Sequence, residues 1–510
     1  MRSLKEIAKY VGADPSQTRL EPGTSTGVQD LECDSRQIKS GCAFVALKGT
    51  RVSGWDYILD AQQRGACAVI TPSENQQALE QTPGLMQQLK IPVIYMRPDF
   101  PLARLACWFY NHPSRHLSLI GVTGTNGKST VAEITAQWLN ALGRRCAVMG
   151  TLGWGFLPDL VPVPNTTLEP LKLQQSLAAL KYRGALYASI EVSSIGAAQG
   201  RVDGCRFVAG GFTNLTRDHL DYHGTMEAYA EAKERFLSMV YDSGQLCLNG
   251  DDDYGRELAS KYSETLIYSR SPEFFRSFGH FSSTSWLWIR HVDYRPDGLK
   301  LQVESSFGKG ECELGFLGSF NVENFACALG MLLSLGFSLD ELLRYAPSLK
   351  PVPGRMETFF TPGKTQIVVD YAHTPDGVEQ ALRAVKAHHP GGKVWCVLGC
   401  GGDRDKGKRA IMAIKASVYA DRAVFTSDNP RSEDPAAILN DMAAGVGDAS
   451  NAVYIEDRGK AIKYAWEHAS ADDVVVIAGK GHEDYQIFAD RTVHFSDREV
   501  AGELTGDRHD

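Results

Sequence analysis

The chain has 510 residues, 43% of them hydrophobic and 22% charged, with a formal net charge of −8. That length supports about three domains, and the ordinary balance excludes a disordered or fibrous chain. A net negative charge without any basic run excludes a general nucleic-acid binder, whose phosphate partners demand clustered Lys and Arg.

The N-terminus, MRSLKEIAKY, carries Lys5, Glu6 and Lys9 where a signal peptide would need an unbroken apolar core. Residues 1–98 open on a short helix pattern. They continue as the β-rich runs DSRQIKSGCAFVALKG, AQQRGACAVI and IPVIYM between polar and glycine-rich turns, so a small α/β domain is expected. RPDFPLARLACWFYNHPSRH places a helix between prolines and hands over to the strand LSLIGV, opening a second domain over 99–347. Its strand patterns CAVMGTLG, ALYASIEVSS and FVAGGFTNL alternate with helical ones, which predicts a largely parallel sheet. The three prolines of YAPSLKPVPGRME disfavour helix and set a boundary near Pro347. From 348 to 510 the strands TQIVVDYA, KVWCVLG, RAVFTS and VVVIAG alternate with helical stretches, a doubly wound pattern that binds ligands at strand ends. The longest apolar runs are of strand length, so no membrane segment is expected. Eleven cysteines without a C-x-x-C pair read as reduced thiols of a cytoplasmic protein rather than a zinc site.

One stretch, LSLIGVTGTNGKSTVAEITAQWL over 117–139, nearly spells a phosphate-binding loop. The strict G-x-x-x-x-G-K-[ST] pattern requires glycine at 122, where this chain has Val122; its glycines are Gly121, Gly124 and Gly127. An apolar strand before the loop and helical spacing after it are nevertheless the right context: backbone N–H groups and a helix N-terminus favour phosphate, Lys128 reaches the β and γ phosphates, and Ser129 ligates Mg²⁺. Further along, Glu191 ends an apolar strand and His219 follows Asp218, a carboxylate and an imidazole able to hold a metal or simply to lie on a polar surface. Lys233, in EAYAEAKERF, reads by itself as part of a solvated charged helix face with Glu231 and Glu234. In the last third, GCGG followed by Arg404 is a poor dinucleotide fingerprint. In SDNPRSEDP, Arg431 can hold a carboxylate bidentately while Asp428 accepts from an ammonium, which suits a zwitterionic amino acid.

GTNGKST is the form this loop takes in the Mur ligase superfamily. PGRMETF, VVDYAHTPDGV, GCGGDRDKGKR, SDNPRSEDP and AGKGHEDYQ extend the resemblance over essentially the whole chain. The resemblance implies three α/β domains: a UDP-substrate domain (1–98), a central P-loop parallel-sheet domain (99–347) and a Rossmann-like amino-acid domain (348–510). It also implies an ATP- and Mg²⁺-dependent amide ligase of peptidoglycan precursor synthesis, working through an acyl phosphate as a cytoplasmic monomer. ATP would lie on Gly124, Thr125, Asn126, Gly127, Lys128, Ser129, Thr130, Asn324, Arg355, Asp370 and His373. Mg²⁺ would be held by Ser129, Glu191, His219 and Lys233, the lysine being carbamylated to N6-carboxylysine; Lys128, Glu191, His219, Lys233, Arg355 and His373 would be catalytic.

The implied acceptor is UDP-N-acetylmuramoyl-L-alanyl-D-glutamate, at Cys33, Ser35, Thr50, Arg51, Val52, Asn165, Thr166, Thr167, Ser193, Gln199 and Arg201. The implied donor amine is meso-diaminopimelate, at Arg404, Asp428, Asn429, Pro430, Arg431, Gly479 and Glu483. The chain departs from the family pattern at Ser53, Trp55, Leu168, Glu169 and Ile195.

Overall fold

The computed structural model describes residues 1–14, 27–49, 52–82, 84–242, 244–277, 285–447 and 451–507. The fold is α/β throughout, with parallel sheets in three domains. By contacts the chain forms two compact units. One holds residues 1–124, 143–210 and 217–244; the other holds 125–142, 211–216 and 245–510.

The first unit contains a four-stranded parallel sheet, Asp30–Glu32, Cys42–Val45, Ala68–Pro72 and Val93–Met96, in that order. Alternation with a period of two sends successive side chains to opposite faces. Ala43, Val45, Ile70 and Ile94 therefore pack on one side with Leu4, Ile7, Leu105 and Phe109, while Phe44, Val69, Val93 and Tyr95 pack on the other with Ile58, Ala61 and Leu79. The helix expected between prolines is Leu102–Phe109, and it joins the first of these cores. The same unit also contains Cys146–Gly150, Tyr187–Glu191 and Ser118–Thr123 as adjacent parallel strands, with the short antiparallel strand Gly153–Gly155 beside Cys146–Gly150.

The second unit keeps parallel strands, as the alternation predicts, and adds an antiparallel extension to them. Gln245–Asn249, Leu266–Ser269 and Ser285–Arg295 pair in parallel, but Ser285–Arg295, Gly298–Ser305 and Gly308–Leu314 then form an antiparallel meander. The last two of these strands alternate buried with half-exposed or exposed positions, the pattern of a sheet solvated on one face. The doubly wound part of this unit is a six-stranded sheet. Its parallel strands Gln366–Asp370, Val474–Ala478, Val394–Cys400, Arg422–Ser427 and Ala452–Tyr454 are edged by antiparallel Glu357–Phe359. Val394–Cys400 is buried along its whole length because helices cover both faces: Val394, Cys396 and Leu398 meet Leu382 and Met412, and Trp395 and Val397 meet Ile462 and Ala501. Among the described residues no helix is long and apolar enough to cross a membrane.

Candidate active site

The loop strand Ser118–Thr123 runs into Gly124, and the loop helix Lys128–Ala141 starts at Gly127. Two glycines explain the irregular spelling of the motif. A Cβ on Gly121 would lie 2.4 Å from Phe236 Cζ, so this glycine admits a core ring rather than a phosphate. Gly127 has φ +86°, and a Cβ there would lie 2.1 Å from Asn324 Oδ1. Asn324, expected at the nucleotide, is thus seated against the loop and donates to Asn321 Oδ1 at 3.1 Å.

The rest of the loop is braced by TNLT, 213–216, which follows the strand of FVAGGFTNL. Thr125 N–H donates to Asn214 O at 2.8 Å, Asn126 N–H to Asn214 Oδ1 at 2.9 Å, and the Thr213 hydroxyl to Asn126 O at 2.6 Å. Lys128 Nζ donates to Thr125 O at 2.7 Å. The helix is anchored by Trp138, fully buried, with its Nε1–H on Leu342 O at 2.8 Å.

In the first unit, Glu191 is 2% exposed and its carboxylate accepts from Thr151 N–H at 2.9 Å and from the Thr151 hydroxyl at 3.2 Å. The expected dipeptide residues gather beside it. The Thr151 and Thr166 hydroxyls meet at 3.0 Å, Thr167 Oγ1 donates to Glu191 O at 3.0 Å, and Ser193 N–H donates to Thr167 Oγ1 at 2.9 Å. Arg201 donates to Thr167 O at 2.7 Å, is forked onto Gln199 Oε1, and pairs at 2.7 Å with Glu169, one of the departures from the family pattern. Asn165 lies half-buried nearby in sequence.

Lys233 corrects the solvated-face reading. It is 1% exposed, its Nζ donates to Gly124 O at 2.7 Å and lies 4.2 Å from the centre of the Tyr229 ring, whereas Glu231 is exposed. His219 differs: it is exposed, in the left-handed backbone region at φ +52°, 3.6 Å from Asp218. His223, not singled out from the sequence, meets the Ser194 hydroxyl at 3.0 Å, and burial pushes its imidazole below its ordinary range. Among the described residues no three His, Cys, Asp or Glu side chains converge as a ready-made metal cage. Of the expected uridine-end residues, Ser35 is buried, Cys33 and Val52 are exposed, and Thr50 and Arg51 lie outside the described residues.

The strand ends of the six-stranded sheet bring the remaining motifs together. The Arg355 guanidinium lies 4.4 Å from the centre of the Tyr371 ring. Asp370 accepts from Met356 N–H and Ala372 N–H, each at 2.8 Å; burial pushes its carboxyl up and Arg355 opposes that. His373 Nδ1 contacts Tyr371 O at 2.8 Å. His482 lies against the same Tyr371 ring; burial, Arg355 and Arg498 hold its imidazole down to about 4.

Gly479 N–H donates to Asp370 O at 3.1 Å, linking this cluster to the next. There Lys480, fully buried, lies 3.3 Å from Glu483, 3.6 Å from Asp428 and 3.4 Å from Asn429 Oδ1, and Asn429 Nδ2 donates to Glu483 at 2.9 Å. Asp428 Oδ1 is buried and makes no hydrogen bond within the protein. Arg431, at φ +52°, donates to Gly402 O at 2.8 Å, and Arg404 is exposed. A wholly buried pair, Arg458 and Asp497 at 2.7 Å, ties down Ser427 O and Ala478 O, the strand ends from which Asp428 and Gly479 emerge. The sequence patterns do not single out Lys480, His482 and Arg458; the first two lie inside AGKGHEDYQ, and what sets the three apart is burial, full for Lys480 and Arg458 and partial for His482.

A parallel sheet feeding a glycine loop and a helix N-terminus, followed by a doubly wound sheet with charged loops at its strand ends, defines a multidomain phosphate-loop protein of the α/β class. Family models match three stretches: the Mur ligase family catalytic domain over 28–110, the Mur ligase middle domain over 122–332 and the Mur ligase glutamate ligase domain over 354–481. This chain belongs to the Mur ligase family. It is 46% identical over 481 residues, 94% of each chain, to the UDP-N-acetylmuramoyl-L-alanyl-D-glutamate–2,6-diaminopimelate ligase of Vibrio vulnificus. It is also 46% identical over 478 residues, again 94% of each, to the Vibrio cholerae enzyme of that name. A solved structure of a ligase of the same name is 34% identical, with a TM-score of 0.68, covering 99% of this chain and 98% of its own.

Proposed function

We propose that this protein is an ATP-dependent ligase that joins meso-diaminopimelate to UDP-N-acetylmuramoyl-L-alanyl-D-glutamate, acting as a cytoplasmic monomer. The observation that carries the reading is the charge pattern around Asp428. Asp428 Oδ1 makes no hydrogen bond and shares the buried Lys480 ammonium, 3.6 Å away, with Glu483, which leaves negative charge in excess; the Arg431 guanidinium follows three residues later in the chain. An ammonium satisfies the first and a carboxylate the second, and a diamino diacid carries both.

In the reaction, an oxygen of the free carboxylate of the D-glutamyl unit attacks the γ-phosphorus of ATP and ADP leaves. The amine of diaminopimelate then attacks the acyl phosphate carbon, and phosphate and a proton depart. Lys128 and the backbone N–H groups over 124–130 would hold the phosphates, with Ser129 and Thr130 at the helix start. Asn324, Arg355, Asp370 and His373 would bind the rest of the nucleotide. Asn165, Thr166, Thr167, Ser193, Gln199 and Arg201 would bind the dipeptide; Cys33, Ser35, Thr50, Arg51 and Val52 the uridine end; Arg404, Asp428 to Arg431, Gly479 and Glu483 the amino acid. The three segments 1–98, 99–347 and 348–510 would each supply one of these functions.

The oxygen-rich surroundings of Glu191 fit a hard cation such as Mg²⁺, with His219 and a carbamylated Lys233 as its further ligands. When bound, Mg²⁺ offsets the charge repulsion between carboxylate and phosphate. Taking an ammonium out of water is costly, and addition of CO₂ to the Lys233 amine with loss of a proton replaces that cation by an anion. The test is to mix the protein with ATP, Mg²⁺, the UDP-muramoyl dipeptide and either diaminopimelate or lysine, and to weigh the product. A tripeptide product with diaminopimelate is expected; phosphate release without it would overturn the reading.

A further inference from the structure

We propose that a clasp behind the rim of the amino-acid pocket, Asp403 with Ser432 and Arg409 with Glu433, is a positioning device that sets the preference for a diamino acid bearing two carboxylates over one bearing a single carboxylate. The inference rests on the function proposed above.

The loops at 401–404 and 428–433 leave neighbouring parallel strands, with Gly399 opposite Thr426 and Cys400 opposite Ser427. Four contacts stitch them together. Gly402 N–H donates to Asn429 O at 2.9 Å, and Arg431 Nη1 donates to Gly402 O at 2.8 Å. Asp403 N–H donates to Glu433 Oε1 at 2.6 Å, and Ser432 donates to the Asp403 carboxylate through its N–H at 3.1 Å and its hydroxyl at 2.6 Å. Glu433 is in turn gripped by Arg409 at 2.8 and 3.0 Å. That guanidinium is fully buried and also meets Asp441 at 2.8 Å and Gly401 O at 3.2 Å.

Asp403 and Arg431 both sit in the left-handed region, at φ +53° and +52°. Non-glycine residues persist there only where the surroundings over-determine them; the clasp supplies those surroundings for Asp403 and for the segment that follows Arg431, whose own N–H is held by Ile487 O at 2.9 Å. The clasp thereby restrains the segment after Arg431 and orients the Gly402–Asp403 peptide, whose carbonyl accepts from Arg431 Nη1. Asn429 and Arg431 are both tied to Ile487, at 3.0 and 2.9 Å, but the carboxylates that would receive an ammonium are held by groups outside the clasp: Lys480 and Asn429 hold Glu483, and Gln486 Nε2 donates to Asp428 O at 2.6 Å. Loosening the clasp should thus impair recognition of the second carboxylate and leave ammonium recognition in place.

The experiment measures kcat and KM for meso-diaminopimelate, the inhibition constant of lysine against it, and KM for ATP, in the native chain and in Ser432→Ala, Asp403→Asn and Glu433→Gln. Ser432 is exposed, so Ser432→Ala tests the clasp without disturbing a core; Ser432→Thr restores the hydroxyl. Expected is a rise of about ten-fold in KM for diaminopimelate with kcat retained. The lysine constant and the ATP KM should stay within about two-fold, and Ser432→Thr should return KM toward the native value. If the native chain makes the tripeptide yet the variants leave KM for diaminopimelate unchanged, or weaken both amino acids equally, the clasp has no such role. If the native chain makes no tripeptide, the functional reading itself fails.

Discussion

The proposed phosphate loop occupies consecutive residues, 124–130, whereas the proposed amino-acid pocket draws on Arg404, Asp428 to Arg431, Gly479 and Glu483, from three separate loops. In the loop the working groups are backbone N–H groups and one lysine, held by backbone-directed bonds from 213–216 and by the approach of Asn324 to Gly127. In the pocket they are charged side chains, and Lys480, Arg409 and Arg458 are buried completely to hold them. A loop of the first kind depends on where the chain can turn; a pocket of the second kind depends on charges that balance out of water. Side-chain loss should therefore remove chemistry from the loop while sparing the fold, and in the pocket should shift affinity or pH dependence instead.

Lys128→Ala is the strongest test of that contrast. Turnover should fall by about 10³-fold, the scale of losing a preorganised charge at the reacting group, with a melting temperature close to the native one. Near-normal activity, or collapse of the fold, would erase the distinction. Lys233→Ala should follow, with a loss of about 10²-fold, partly restored by small carboxylates such as formate that replace the carbamate. A buried lysine of purely structural use would give no such rescue, and mass spectrometry of the native protein checks for the CO₂ adduct.

On the pocket side, Arg431→Ala should raise KM for diaminopimelate by roughly ten- to a hundred-fold, since a charge-assisted bidentate contact is worth about 1.5–3 kcal/mol, and should leave KM for ATP unchanged. An equal change in both constants would mean that the two regions do not work separately. The smallest effect is expected from His482. Its imidazole is held down from an ordinary 6.5 to about 4 in the folded protein, so the unfolded chain binds the extra proton first. This contribution to stability is complete above about pH 6.5 and is lost as pH falls toward 4. Denaturant midpoints at pH 7.5 and pH 5 should therefore differ more in the native chain than in His482→Asn.

The sequence by itself determined the strand–loop–helix unit, because apolar alternation, glycines and Lys128 lie within one short span and act through local geometry. It likewise determined the strands of the last third, where Val394–Cys400 and Arg422–Ser427 lie within a residue of the runs KVWCVLG and RAVFTS. The meander over 285–314 was not legible, since one-sided burial of its strands depends on what packs against them. Tertiary structure alone decided which charges are buried. Lys233 and Glu231 stand two residues apart on one helix, yet one is sealed against Gly124 and Tyr229 and the other is in water. The same holds for Lys480 and Arg409, which are fully buried although they stand in the polar strings AGKGHEDYQ and GCGGDRDKGKR. A residue's charge is written in the chain, but the cost of that charge is set by neighbours tens of residues away, such as Asp428 for Lys480 and Glu433 for Arg409.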